Sequence, residues 1–336
     1  MSEPPRPRAA LVLKAIVRLA LGVALFAALV WWVSPSWEEI EGRIELAPRW
    51  LLLGLAGTTF ATFVTAARWK LLSETLGATR LPYGVYFHTL ALTRVVGQFL
   101  PMMLVDLLGR GAALRAAGSR SRLGELMTPV VLERLLDLVL PLVMLGWALV
   151  TALRPTPWLD PWLALALVLV LFVGLAIPLL QPMVAVGLGV YGRLRRLRRR
   201  DRDLPLPPAP SVPAPLAARV VGLGVLRYAG IMVQYWGAGA GFGVRLAPLV
   251  LLAAAPLAQV AGLVGITPGG LGLQEGGWAA ALSQLGQDEA SIVVLMAATR
   301  VMMVVNFGLL SLLSWPWRRA RPGPDAGPST AATPPR

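Results

Sequence analysis

Ten ionisable side chains stand inside otherwise apolar stretches: Arg68, Arg94, Asp106, Arg110, Glu133, Arg134, Asp137, Arg227, Glu275 and Arg300. Charges in a bilayer carry a large desolvation cost and are kept there for pairing or for function. Glu133 and Asp137 are four residues apart and share one helix face, with Arg134 turned about 100° away. Two carboxylates on one face call for a cation, either a partner arginine in a structural network or a bound group. Arg134 and Arg300 carry guanidinium groups suited to gripping a phosphate through two parallel hydrogen bonds. The plainer alternative is pairing with Asp106 or Glu275. Gly269, Gly270 and Gly272 allow a sharp turn before a helix starting near Leu273, whose first N–H groups make a ready anion site. Glu275 lies in that first turn and repels a phosphate unless protonated or paired; otherwise it suits an ammonium group or a coupling proton. The glycines also serve close helix packing on their own.

The elements that must position these residues follow from composition. Of 336 residues, 56% are hydrophobic and only 14% are charged, with a mean hydropathy of +0.67. A soluble domain has about a quarter of its residues charged, so this chain cannot cover an ordinary soluble surface. Several apolar runs exceed the roughly 20 residues needed to cross a bilayer, and the expected class is an all-α polytopic membrane protein. There is no cysteine and one histidine, His88, which excludes thiolate sites and His-based catalytic pairs. A phosphate-binding loop of the Gly-x-x-x-x-Gly-Lys-Ser/Thr kind is also missing. No catalytic residue, metal or cofactor is therefore expected. The net charge of +14 includes seven arginines between Arg193 and Arg202. These read as a cytoplasmic loop facing anionic inner-leaflet lipids, not as a nucleic-acid surface.

Charge placement sets the topology. A cytoplasmic tail (1–10) precedes an apolar run at 11–33 that ends in an aromatic belt, Trp31 to Trp37. Trp50–Leu72 returns to the cytoplasm. From Tyr83 to Gly118 a full crossing would strand Arg110, Arg115, Arg120 and Arg122 outside, so a re-entrant hairpin with its tip at Pro101 is expected. Leu123–Leu153 and Pro161–Leu188 cross out and back, and 193–215 forms a basic, Pro-rich cytoplasmic linker. Arg219–Gly243 crosses outward, a second hairpin turns at Pro268, and Glu289–Trp315 crosses inward to a disordered tail at 319–336. The sum is one transmembrane domain, 11–318, with six crossings, two hairpins and both termini inside. Two units of like parts and opposite orientation result, repeat A at about 50–153 and repeat B at about 219–315. Pro101 to Arg134 is 33 residues and Pro268 to Arg300 is 32; Gly118 and Gly286 lie 17 and 18 residues past those prolines. Inverted repeats with broken helices are a feature of transporters, whose sites lie near the midplane where the breaks meet.

At these residues the sequence resembles a known family. Ile266-Thr267-Pro268-Gly269-Gly270-Leu271-Gly272 with Gln274-Glu275-Gly276 is similar to the signature of the lysylphosphatidylglycerol synthase transmembrane region, a flippase-like integral membrane family. Arg68-Trp69-Lys70, Gly97-Gln98-Phe99-Leu100-Pro101 leading to Asp106, and Glu133-Arg134-Leu135-Leu136-Asp137 match it as well. Met102-Met103-Leu104-Val105 departs from the small and basic residues usual after the first Pro. The resemblance runs from about 11 to 318, so the soluble aminoacyl-transferase domain of the full synthases is not expected here. It implies a bacterial or archaeal inner-membrane protein that moves a lipid or supports lipid modification. The substrate-binding set it suggests is Arg68, Asp106, Glu133, Arg134, Asp137, Glu275 and Arg300 with Gly269, Gly270 and Gly272. Membrane lipids are the expected partners. Alternative readings are a membrane partner of a separate transferase, or a membrane-embedded lipid-modifying enzyme working through Glu275 or Asp106.

Overall fold

The computed structural model describes residues 36–76, 80–100, 105–119, 123–153, 160–197, 212–263 and 267–318, with single positions at 17, 20, 23, 24, 27, 28, 31 and 102. Expectations for the tail 1–10, for most of 11–33, and for Pro101, Arg120, Arg122 and Ile266 lie outside the described residues. So do those for the middle of the basic linker (198–211) and for the tail 319–336.

Among the described residues every regular element is helical: α1 (Trp37–Arg43), α2 (Pro48–Thr75), α3 (Tyr83–Phe99), a π-helical turn (Val105–Gly109) running into α4 (Arg110–Ala116), α5 (Leu123–Leu153), α6 (Pro161–Leu197), α7 (Ala214–Gly241), α8 (Pro248–Leu263), α9 (Leu273–Gln284) and α10 (Glu289–Leu313). Local chemistry starts several of them. Pro48 opens α2, where its missing N–H costs nothing. Asp160 caps α6 by accepting from Trp162 and Leu163 N–H at 2.9 and 3.0 Å, and Asp288 caps α10 through Ser291 N–H. Five helices are long and apolar enough to span a bilayer: Pro48–Thr75, Thr128–Thr151, Pro161–Met183, Ala214–Gly241 and Glu289–Leu313. The most apolar window, in α6, has a mean hydropathy of 3.0 and leaves Leu167, Val170, Leu171 and Leu175 more than half exposed. Leucine and valine turned outward in this way suit lipid, and the chain is an integral membrane protein.

The centre of the fold is the antiparallel pair α2 and α7. A Cβ on Gly57 would sit 2.6 Å from Gln234 N, one on Gly54 would sit 3.3 Å from Ala238 N, and one on Gly230 would sit 3.1 Å from Ala61 N. Farther along, Arg68 comes against Gly224, and Leu72 packs with Val220 and Ala217. Glycine on both partners lets two backbones touch where lipid gives helices no hydrophobic reason to associate. Thr58, Thr62 and Thr65 on α2 return their hydroxyls to carbonyls one turn back, which satisfies them without water.

Two other stretches are built from shorter helices. Helix α3 has 17 residues, about 25 Å of rise against a hydrocarbon core of about 30 Å. It starts beside the end of α10, with Phe87 5.8 Å from Trp317 between ring centroids and His88 Nδ1 3.0 Å from Ser314 Oγ. Its far end, Gln98, reaches only Arg300, near the middle of α10. Helices α8 and α9 pack on each other, and the turn between them meets the same arginine at Gly269. The two interruptions touch: Gly269 N–H donates to Leu100 C=O at 3.4 Å.

The order span, short helix, second short piece, span occurs twice. Starts at Pro48, Tyr83, Val105 and Leu123 are followed by starts at Ala214, Pro248, Leu273 and Glu289, 165 to 168 residues later each time. Gly118 and Gly286 occupy matching places with φ of 105° and 71°. Each closes the preceding helix with the same pair of bonds, Ser119 N–H to Leu114 C=O and Gly118 N–H to Arg115 C=O, then Gln287 N–H to Leu282 C=O and Gly286 N–H to Ser283 C=O. That is the Schellman closure, and a left-handed φ is why glycine stands there.

The α2–α7 contact makes a stability prediction. Gly57→Val overpacks a backbone-to-backbone contact and should cost about 1–3 kcal/mol, read as a lowered midpoint in tryptophan-monitored thermal unfolding in detergent. Gly174→Ala on α6, where an added Cβ meets nothing within 4 Å, should leave the midpoint unchanged or raise it.

Candidate functional site

Helices α2, α4, α5 and α7 bring their charges to one buried place. Arg68 reaches Asp137 Oδ1 at 2.5 Å and Glu133 Oε1 at 3.3 Å. Arg110 reaches Glu133 Oε2 at 2.6 Å and Asp106 Oδ1 at 2.9 Å, with its guanidinium 5.1 Å from the Trp69 ring centroid. Arg134 pairs with Asp106 Oδ2, and Arg227 Nη1 lies 3.2 Å from Asp137 Oδ1. Glu133 and Asp137 do share a face, and Arg134 does turn elsewhere, as four-residue spacing requires. Glu133 is the hinge of the network, because one oxygen takes each of two arginines.

A second, smaller centre lies at the two interruptions. Arg300 pairs with Glu275 Oε1 and donates to Gly269 C=O at 2.8 Å and Gln98 Oε1 at 3.3 Å. Glu275 Oε2 accepts the Gly272 N–H at 2.7 Å. The α9 N-terminus is therefore not an open anion cradle. Gly272 N–H is taken by Glu275, while Gly270, Leu271, Leu273 and Gln274 N–H groups are spent inside the turn. Gly270 abuts Gly262, and Gly277 abuts Ala258. With φ of 56°, 71° and 83°, Gly269, Gly270 and Gly272 make the turn and the close packing. Both Glu275 oxygens are engaged, which removes the free carboxylate an ammonium group needs.

Beside these centres is a cavity of about 370 Å³ between α2, α3, α5, α7, α8 and α10, a ligand-sized space. Arg94, Arg134, Arg227, Asp106 and Asp137 carry its charge. Gln98, Gln234, Gln259, Gln274 and Tyr235 carry uncharged polar groups on the same wall. Gln274 Nε2 donates to Tyr235 OH at 3.2 Å.

Of the residues singled out in the sequence, Asp106, Arg134, Asp137 and Gly269 line this cavity. Arg68 and Glu133 stand behind Asp137 as its support. Arg300 and Glu275 sit one residue back, touching the wall through Gln98 and Gly269. Pro268 lies in the turn between α8 and α9. His88 packs against Trp315, while Met302 and Met303 are buried, so the latter pair is interior filler and not lipid-facing. Arg94, Arg110 and Arg227 stand out in the sequence as buried charges but belong to this site as much as the expected set. Gln234, Gln259 and Tyr235 carry no sequence signal, since a glutamine or tyrosine in an apolar helix reads as an ordinary interface residue. Among the described residues no three His, Asp or Glu side chains converge as a metal site.

An all-helical membrane protein with charged residues buried around an intramembrane cavity is the class this arrangement defines. Residues 19–311 match the family model of the lysylphosphatidylglycerol synthase TM region, and the chain belongs to that family. No curated protein matches the sequence significantly.

The network makes an asymmetric prediction. Glu133→Gln strips the shared carboxylate from Arg68 and Arg110 and should cost about 3–5 kcal/mol, seen as loss of folded protein by size exclusion or a sharply lowered unfolding midpoint. Lys70→Met, which removes a partly exposed pair with Glu74, should cost no more than about 1 kcal/mol.

Proposed function

We propose that this protein moves a polar-headgroup lipid across the cytoplasmic membrane, with the headgroup passing through the cavity and the acyl chains left in the bilayer. The carrying observation is the contact of the two helix interruptions beside a charged, polar-walled cavity halfway along α10. In this reading α3 with α4, and α8 with α9, are re-entrant hairpins of two inverted repeats. The matched element spacing and the antiparallel α2–α7 pair support that symmetry. Transporters place substrate sites where such breaks meet.

Arg43 pairs with Asp288 at 3.2 Å, and Ala47 N–H donates to Gly241 C=O, so 36–47, 241–247 and 286–289 gather at one end. That end faces outside in this reading, and the basic linker and Arg318 face the cytoplasm, where anionic lipids hold them. The chain has no cysteine, so single cysteines report without background. Glu41→Cys and Gln284→Cys should react with an impermeant maleimide on intact spheroplasts, and Arg115→Cys only after permeabilisation. Reaction of position 115 from outside would remove the first hairpin.

Transport itself is read in vesicles. Purified protein reconstituted with fluorescent phospholipid should raise the dithionite-accessible fraction over protein-free vesicles. Arg134→Ala, which leaves Asp106 paired to Arg110, should slow this at least tenfold, while the exposed Val301→Ala should not. Wild-type vesicles indistinguishable from empty ones across anionic and zwitterionic probes would reject the transport reading.

A further inference from the structure

The charges around the cavity do not balance. Among the described residues five guanidinium groups, on Arg68, Arg94, Arg110, Arg134 and Arg227, face three carboxylates, on Asp106, Glu133 and Asp137. Two positive charges are left over inside the helix bundle, on side chains that are at most partly exposed. The Arg300–Glu275 pair beside them is neutral and contributes nothing to the balance. Unpaired charge of this kind is costly away from water and is retained where something else neutralises it.

The surplus has a location. Among the described residues no carboxylate lies within ion-pair distance of Arg94, although the other four arginines each hold at least one. Arg94 lines the cavity, and its helix keeps it one turn from Gln98, whose amide bonds the Arg94 carbonyl. Gln259 on α8 also lines the cavity, and among the described residues its buried Nε2 has no hydrogen-bond partner. Two unspent donors and a double positive surplus describe the missing group: rich in acceptor oxygens, poor in donors and close to doubly negative.

From this we infer that the cavity binds a phosphate group carrying about two negative charges, a terminal phosphomonoester or diphosphate, with Arg94 as its principal ligand and Gln259 as a second donor. A phosphomonoester has about −1.5 to −2 charges near neutral pH and three strong acceptor oxygens. A guanidinium can hold two of those oxygens at once. An ammonium headgroup adds to the positive surplus here, and a zwitterionic phosphodiester leaves most of that surplus in place. The lipid as source of this phosphate rests on the transport reading above; the phosphate site itself does not.

The test uses the purified full chain in detergent with phosphatidic acid, phosphatidylcholine of the same acyl chains and inorganic phosphate as probes, read by thermal unfolding and native mass spectrometry. Phosphatidic acid should bind at least tenfold tighter than phosphatidylcholine. Arg94→Gln should abolish that difference, and Arg94→Lys should restore part of it. Because Arg94 has no partner to lose, Arg94→Gln without lipid should unfold at the wild-type temperature or above it. Equal binding of the two lipids, or a preference that survives Arg94→Gln, overturns the inference. Inorganic phosphate protecting as well as phosphatidic acid, through Arg94, would keep the phosphate site and make the source a soluble anion. Translocation of a phosphatidylcholine probe without phosphatidic acid binding would leave transport standing and sink the phosphate assignment.

Discussion

Charge held away from water is the constraint on which the rest of this structure depends. Three carboxylates and five arginines cannot be distributed singly through an apolar interior, because each would face its desolvation cost alone. Gathering them fixes which helices must be neighbours. Arg68 ties α2 to α5, Arg110 ties α4 to α5, and Arg227 brings in α7. Glu133, with one oxygen to each of two arginines, makes these contacts mutually dependent.

The network also divides labour between its members. Arg68, Arg110, Glu133 and Asp137 spend their hydrogen bonds within the network and behave as framework. Arg134 and Arg227 spend part of theirs and show the remainder to the cavity. Arg94 spends none. A gradient from fully paired to unpaired therefore runs from the protein interior to the cavity wall, which is how a binding surface can be both charged and rigid. The second centre follows a different rule: Arg300 is occupied by Glu275, Gly269 and Gln98, and so joins the two interruptions instead of facing the cavity.

Much of this was legible in the sequence, and the reasons for the remainder are physical. The breaks after Phe99 and Leu263 could be read because a proline follows each of them, joined by glycines at the second, and both residue types end helices. Gly118 and Gly286 could be matched because a left-handed helix closure asks for one residue type. Arg134 and Arg300 were matched by spacing, and both pair with an acid early in the second piece of their own half. Pairing of Arg134 and Arg300 with Asp106 and Glu275 was already one of the sequence alternatives; the partners of Glu133 were not legible, since Arg68 and Glu133 meet only because α2 and α5 approach across 65 residues of chain. Nor was the solitude of Arg94, which is a property of where the acids go and not of its own surroundings in sequence. The glycines before Leu273 read equally as an anion cradle or a turn; Glu275 folding back onto Gly272 N–H decides for the turn.

The α2–α7 pair has a mechanical consequence. Its glycines meet backbone at Gly54, Gly57, Gly230 and Gly237, and a slide of one helical turn would bring Thr58, Ala61 or Gln234, four residues on and on the same face, toward gaps that admit no side chain. Neither helix can move along the other without coming apart from it. The pair is a fulcrum, and any rocking of the molecule has to be taken up by the short helices α3, α8 and α9, whose ends are already broken. Among the described residues, their direct backbone link across the breaks is a single long bond between Gly269 and Leu100. The stiffest part of the protein and its weakest seam thus border the same cavity from opposite sides.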